Sequence, residues 1–199
     1  MTDRIILASG SAIRAELLRN AGLEFEVETA RVDEAMIRDS MLHEGAPPRD
    51  IADKLAELKA ERVARRHPDA LVIGADQVLE HDRTLYSKPE TPEEAKRQLA
   101  TLSNSTHKLL SAAVIFEEAR PVWRHVGRAD LTMRQLSQGY IDDYVARNWE
   151  SVRHSVGAYK LEEEGVRLFT RIGGDHFNVL GLPLLELLSY LVLRGTLRA

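Results

Sequence analysis

The sequence predicts an α/β fold built on a mixed sheet, and three observations carry that prediction. Short apolar, β-branched runs such as RIILA at 4–8 and ALVIGAD at 70–76 read as buried strands. Between such runs lie segments with helical spacing and explicit start signals. Strands and helices alternate irregularly, which favours a mixed sheet over a cleanly doubly wound one.

The elements follow in order. After the strand at 4–8, Ser11 can cap a helix that starts at Ala12 and ends by Gly22, with Ile13, Leu17 and Leu18 on its apolar face. FEVET at 25–29 alternates and suits a second strand. After an acidic turn at Asp33-Glu34, a short helix is expected. Pro47-Pro48 introduces a longer one over 49–65, with Ile51, Leu55, Leu58 and Val63 on one side. His67-Pro68-Asp69 stops it, and the strand at 70–76 ends on a carboxylate. Residues 77–88 read as extended with a turn near Asp82-Arg83. Thr91 caps a helix with Pro92 at its first position and acids in its first turn. Two strands, 109–116 and 121–132, flank a charged turn, and Ser137 can cap a helix over 138–148. A strand pair is expected within GAYKLEEEGVRLFTRI, then a turn at GGDHFN and a last, buried helix from Pro183. One domain spanning 1–199 accommodates all of this.

Composition narrows the function. With 44% hydrophobic and 29% charged residues, the 199-residue chain reads as a soluble globular protein with room for a substantial core. A net charge of −4 argues against a general electrostatic grip on a nucleic acid polymer. A phosphate-bearing ligand would need a local cluster of cations. No cysteine is present, so disulfides and thiolate metal sites are excluded. The apolar stretch in MTDRIILAS is too short for a signal peptide, and no run approaches the roughly 18 apolar residues of a membrane span. A cytoplasmic chain that does not engage membranes is the expectation.

Candidate chemistry begins at LASGSAIRAELL, residues 7–18. A helix N-terminus offers unpaired N–H groups, small residues let an anion approach the backbone, and Ser9 and Ser11 add hydroxyls. Arg14 can bond phosphate oxygens in pairs. Equally, Ser11 can be a plain cap and Arg14 a solvated helix residue. Asp76 in VIGADQ sits where open α/β sheets place ligands, and could bind a divalent metal, accept a proton from water, or only bond the following turn. Lys59 borders the apolar side of its helix, Lys88 is held extended by Pro89, and Lys160 lies in GAYKLE. Each of these lysines, like Glu34 and Glu162, also fits an ordinary surface role. The seven histidines show no paired ligand spacing, and hydrolase-elbow, Walker and dinucleotide glycine patterns are absent.

Together these pieces resemble the Maf family of nucleoside triphosphate pyrophosphatases. The matching stretches are LASGSAIRAELL, VDE at 32–34, ELKA at 57–60, IGADQV at 73–78, SKP at 87–89, GAYKLE at 157–162 and GDHFNVLGLPL at 174–184. They cover nearly the whole chain in the family's order. The resemblance implies a strongly twisted mixed sheet flanked by helices, Maf/ITPase-like, with the active-site cleft between two lobes. It implies cleavage of a small-molecule nucleoside triphosphate between its α and β phosphorus atoms, with a divalent cation (Mg, Mn or Co) as cofactor, and it admits a homodimer. On this reading Asp76 is the proton acceptor, Ser9, Ser11, Arg14, Lys59, Lys88 and Lys160 bind substrate, and Glu34 with Asp76 holds metal.

Departures from the family pattern bear on the base. Where the family usually reads Ser-Pro-Arg-Arg, this chain has Ser11-Ala12-Ile13-Arg14, without the proline and the first arginine. Gln77, Lys160 and Glu162 resemble the branch acting on 7-methyl-GTP. Members acting on dTTP and UTP tend to carry Thr and Gln at positions 77 and 162. Ile13 offers apolar contact but no aromatic face to a cationic base. The resemblance therefore implies 7-methyl-GTP as substrate, with a dTTP/UTP or broad-specificity enzyme and a division-linked nucleotide-binding regulator without turnover as alternatives.

Overall fold

The computed structural model describes residues 4–198. It is a mixed α/β fold. The strands are β1 (Ile5–Ala8), β2 (Glu26–Val27), β3 (Leu71–His81), β4 (Thr84–Tyr86), β5 (Thr106–Glu117), β6 (Arg120–Met133) and β7 (Phe169–Gly174). The helices are α1 (Ala12–Asn20), α2 (Glu34–His43), α3 (Pro48–Ala64), α4 (Pro92–Leu102), α5 (Gln138–Val152), α6 (His176–Val179) and α7 (Leu184–Arg194). The sheet order is β2-β1-β3-β5-β6-β7, with β4 paired to β3. β1 runs parallel to β2 and β3, whereas β4 and β7 are antiparallel to their neighbours. The mixed character follows from the connections: α2 and α3 return the chain for a parallel strand, and tight turns reverse it.

Two compact units emerge. The first comprises the described residues within Met1–Gln77, Leu110–Gly127 and Asp175–Ala199; the second comprises Val78–Leu109 and Arg128–Gly174.

In the first unit, β1 and the leading part of β3 are buried on both faces, as parallel strands must be. On one face α3 lies close, because Ala52, Ala56 and Ala60 form a stripe of small, fully buried side chains opposite Gly74. A Cβ on Gly74 would come 2.2 Å from the Ala56 carbonyl oxygen, so only glycine permits this approach. On the other face Ile73 and Ala75 join Leu17 and Leu18 of α1 and Leu184, Leu187 and Leu191 of α7 in one apolar cluster. The expected burial of α7 holds for one face, through Leu184, Leu187 and Leu191. Its opposite side leaves Leu185 53% and Leu193 87% exposed, because the helix covers the sheet with one face only.

In the second unit α4 packs on α5, and Leu99 and Leu102 of the one and Ile141 and Val145 of the other are buried. The β3–β4 turn uses Asp82 and Arg83, at φ 48° and 64°. The expected strand pair at 157–172 is corrected. Val156–Ala158 and Glu164–Leu168 form 3₁₀ turns and only β7 is a strand. Gly157 and Ala158 both take positive φ (77° and 57°), which breaks an extended run before it can pair. Gly165 then folds back on the Lys160 backbone.

The caps expected at Ser11, Thr91 and Ser137 act as read, and Asp33, expected as part of a turn, is a cap as well. Ser11, Asp33, Thr91 and Ser137 each accept a backbone N–H from the first turn of their helix. β3, however, runs on to His81, so Asp76 lies within the strand and not at its end. The partner strand β4 explains this, since it pairs with residues 79–81 and prolongs the extension.

Candidate active site

The Ser9–Gly10–Ser11 turn joins β1 to α1. Ser9 is buried, and its hydroxyl oxygen accepts from the Ser11 backbone N–H at 3.3 Å and from Arg14 Nη1 at 3.1 Å. Ser11 caps α1 through the Arg14 backbone N–H. Thr29 joins them, its Oγ1 being 3.4 Å from where a Gly10 Cβ would lie. Thr29 went unnoticed in the sequence because only the parallel pairing of Ile6 with Glu26 and Leu7 with Val27 brings it alongside.

Arg14 is enclosed. Its Nε donates to the Gly181 carbonyl at 2.7 Å and its Nη1 to the Ala75 carbonyl at 3.0 Å. Burial pushes the guanidinium down from its ordinary value, opposed by the charges of Asp76 and Glu34.

Lys59 reaches from α3 to Asp76. Its ammonium donates to Asp76 Oδ1 at 2.6 Å and pairs with Glu34 Oε1 at 2.8 Å. Asp76 and Lys59 are nearly sealed from solvent, at 8% and 11% side-chain exposure, whereas Glu34 opens outward at 47%. The alternation of β3 aims Asp76 at α3, on the same face as Gly74. The close Gly74–Ala56–Ala60 contact therefore sets the reach of Lys59. Burial raises the Asp76 carboxyl above the ordinary carboxylate range. Lys59 and Arg14 oppose the shift, and the neighbouring Glu34 adds to it.

Arg14, Lys59, Asp76 and Glu34 together are formally neutral. A polyanion arriving here would need positive charge beyond these four groups. A divalent cation is chemically compatible: two carboxylates and no sulfur or imidazole are oxygen donors of the kind Mg and Mn accept. Among the described residues no three His, Cys, Asp or Glu side chains form a metal cluster, so water and phosphate oxygens would complete the coordination of such an ion.

The other singled-out residues are placed as follows. Ile13 is half-buried on α1. Gln77 projects from the face of β3 opposite to Asp76, and its amide nitrogen donates to Ser111 Oγ and to the Asn178 and Val179 carbonyls. Lys88, Lys160 and Glu162 belong to the second unit. Lys88 is exposed beside the buried Pro89, and Glu162 is exposed. Lys160 lies between two 3₁₀ turns and donates to Ser151 Oγ at 2.7 Å and Glu163 Oε1 at 3.2 Å.

A mixed-sheet α/β protein that presents a buried, lysine-bound aspartate beside a serine-glycine-serine turn defines the class. The Maf-like protein family model matches residues 4–193, and the chain belongs to this family. It is 59% identical over 197 residues to a nucleoside triphosphate pyrophosphatase of Ruegeria pomeroyi, covering 99% of both chains. A nucleoside triphosphate pyrophosphatase of Roseobacter denitrificans is also 59% identical over 197 residues, again with 99% of both covered. A 7-methyl-GTP pyrophosphatase of Rhizobium meliloti is 47% identical over 199 residues, the whole of both chains.

Proposed function

We propose that this chain is a nucleoside triphosphate pyrophosphatase, a hydrolase that releases pyrophosphate and leaves the nucleoside monophosphate. The observation that carries the reading is the sealed Asp76–Lys59 pair of 2.6 Å beside the Arg14-braced turn. In the reaction, a water oxygen bonds the α phosphorus while the bond from that phosphorus to the α–β bridging oxygen breaks. The water's proton passes to the Asp76 carboxylate, which burial has made a stronger base than an exposed aspartate. Lys59 orients that carboxylate. Ser9, Ser11 and the α1 N-terminus receive phosphate oxygens. Asp76 and Glu34 would hold a divalent cation (Mg, Mn or Co), which supplies neutralisation of the triphosphate. Lys88 and Lys160 are further candidate phosphate ligands.

The finer reading is 7-methyl-GTP as substrate. It is supported by Gln77, Lys160 and Glu162, which match that branch, and by the relative of that name at 47% identity. A carboxylate at Glu162 suits the N–H donors on the Watson–Crick edge of guanine, and Ile13 offers apolar contact. The test is a panel of 7-methyl-GTP, GTP, UTP and dTTP with Mg, Mn or Co and product identification. Pyrophosphate with 7-methyl-GMP as the preferred product supports the reading. Preference for UTP or dTTP moves it to the other branch, and nucleotide binding without turnover moves it to a regulator.

A further inference from the structure

We propose that Arg124 is a positioning residue: its guanidinium forks onto Asp53 and Glu57 of α3, sets the roll of that helix and so fixes the reach of Lys59 to Asp76. The kinetic consequence rests on the pyrophosphatase reading; the structural one stands without it.

Arg124 lies on β6, on the sheet face that carries α3. Its neighbour Trp123 packs on the other face, where its ring stacks on Tyr190 of α7 at 5.5 Å between centroids. From β6, Arg124 Nη1 donates to Asp53 Oδ2 at 2.6 Å and Nη2 to Glu57 Oε2 at 2.5 Å. Lys54 holds the second Glu57 oxygen at 2.7 Å, so that carboxylate is fixed from two sides. The Asp53 and Glu57 side chains are only 20% exposed, which sets this fork apart from an ordinary surface ion pair.

Helical geometry puts the fork and the site on opposite flanks of one seam. Ala52, Ala56 and Ala60 form the row that faces β3 at Gly74. At about 100° per residue, Asp53 and Glu57 fall to one side of that row, about 60° and 100° from Ala56. Lys59 falls to the other side, about 60° away. Alanines against a glycine let α3 come close but present no ridges that would stop it rolling. The fork pulls on a flank, where its leverage on roll is large. At the side-chain radius of a helix, roughly 5–6 Å, a roll of about 10° moves a side chain by about 1 Å. That displacement is large against the 2.6 Å contact between Lys59 and Asp76. Misplacement by about 1 Å can cost a catalytic site about a hundred-fold.

The test removes the fork from either end, with Arg124→Gln and with the double variant Asp53→Asn, Glu57→Gln. Acylation by acetic anhydride, read by mass spectrometry, reports how firmly Lys59 is held. Lys108, paired with Glu80 in the second unit, is the internal reference. The expected result is several-fold faster acylation of Lys59 relative to Lys108 in both variants. Turnover per folded molecule falls about ten-fold for every triphosphate accepted. Combining the two lesions adds nothing further, and in a Lys59→Met background the Arg124→Gln factor shrinks towards one. Arg128→Gln, which removes the exposed pair of Arg128 with Asp130 from the same strand, leaves Lys59 acylation as in the parent. Unchanged Lys59 acylation, or unchanged turnover by an active enzyme, overturns the proposal. So does an equal rise at Lys108 or in Arg128→Gln, which would mean general loosening. A full ten-fold loss in the Lys59→Met background overturns the route through Lys59. If the parent protein turns over no triphosphate, the proposed function falls, and the acylation rates still decide the role of Arg124.

Discussion

Lys59 Nζ stands 2.6 Å from Asp76 Oδ1, across 17 residues of sequence, with both side chains nearly closed to water. The pair is held from outside by Glu34, the one of the three that opens towards solvent. A charge this enclosed persists only when its surroundings are built for it, and the cost shows in the raised Asp76 carboxyl.

Asp76→Asn should lose about 10²- to 10⁴-fold in turnover, the range for removing a general base. It should not lower the melting temperature. A carboxyl raised in the native state binds more protons folded than unfolded, so its charged form subtracts stability once pH exceeds the unfolded pKa near 3.8. Asparagine removes that charge, and Lys59 keeps Glu34. Kinetics and a thermal melt at neutral pH check both halves; a clear drop in Tm contradicts the second.

Gly74→Ala should damage site and fold together. The new methyl would meet the Ala56 carbonyl oxygen at 2.2 Å, forcing α3 off β3 at about 1–3 kcal/mol or more. Lys59 moves with α3, so turnover should fall further than the lost folded fraction explains. Denaturant unfolding alongside activity per folded molecule separates the two.

Glu34→Gln should leave stability nearly unchanged, because the side chain is half-exposed. If Glu34 helps hold a divalent cation, the concentration of Mg needed for half-maximal turnover rises, by the ten- to hundred-fold (approximately) typical of lost metal-site contacts. A metal titration at saturating substrate reads this directly. An unchanged titration with reduced kcat would remove Glu34 from the metal site.

His107 makes acid sensitivity predictable in the second unit. It is buried, hydrogen-bonded to the Tyr159 hydroxyl at 2.7 Å, and burial lowers its pKa from 6.5 to about 4. Between those values the unfolded chain binds the proton and the native one does not. Stability is therefore complete above pH 6.5 and declines as pH falls towards 4, by about 3 kcal/mol at most. In His107→Gln, which keeps a hydrogen-bonding group, urea midpoints should change less between pH 7 and pH 4.5 than in the parent.

Much of the fold is legible along the chain, at places where a few neighbouring residues decide the outcome. Ser11, Thr91 and Ser137 cap their helices because capping is settled within one turn. The Asp82-Arg83 reversal is equally local. The misread stretch at 157–172 contains alternation that resembles strand, but positive φ at Gly157 and Ala158 and the fold-back of Gly165 onto Lys160 override it. Local pattern offers no view of a backbone that packs on itself.

The candidate site divides the same way. Ser9, Arg14, Asp76 and Lys59 could be picked out as chemistry-bearing residues, and the ordered motifs named the family. Sequence by itself determined the residue types, the helix starts and the run of strands, since these depend on neighbours a few positions away. Tertiary structure alone decided that Lys59 lies buried against Asp76, that Thr29 borders the serine turn, and that Gln77 grips residues 178 and 179. Those relations depend on strand register and on how closely α3 can approach Gly74, and such distances are set by packing between segments far apart in the chain.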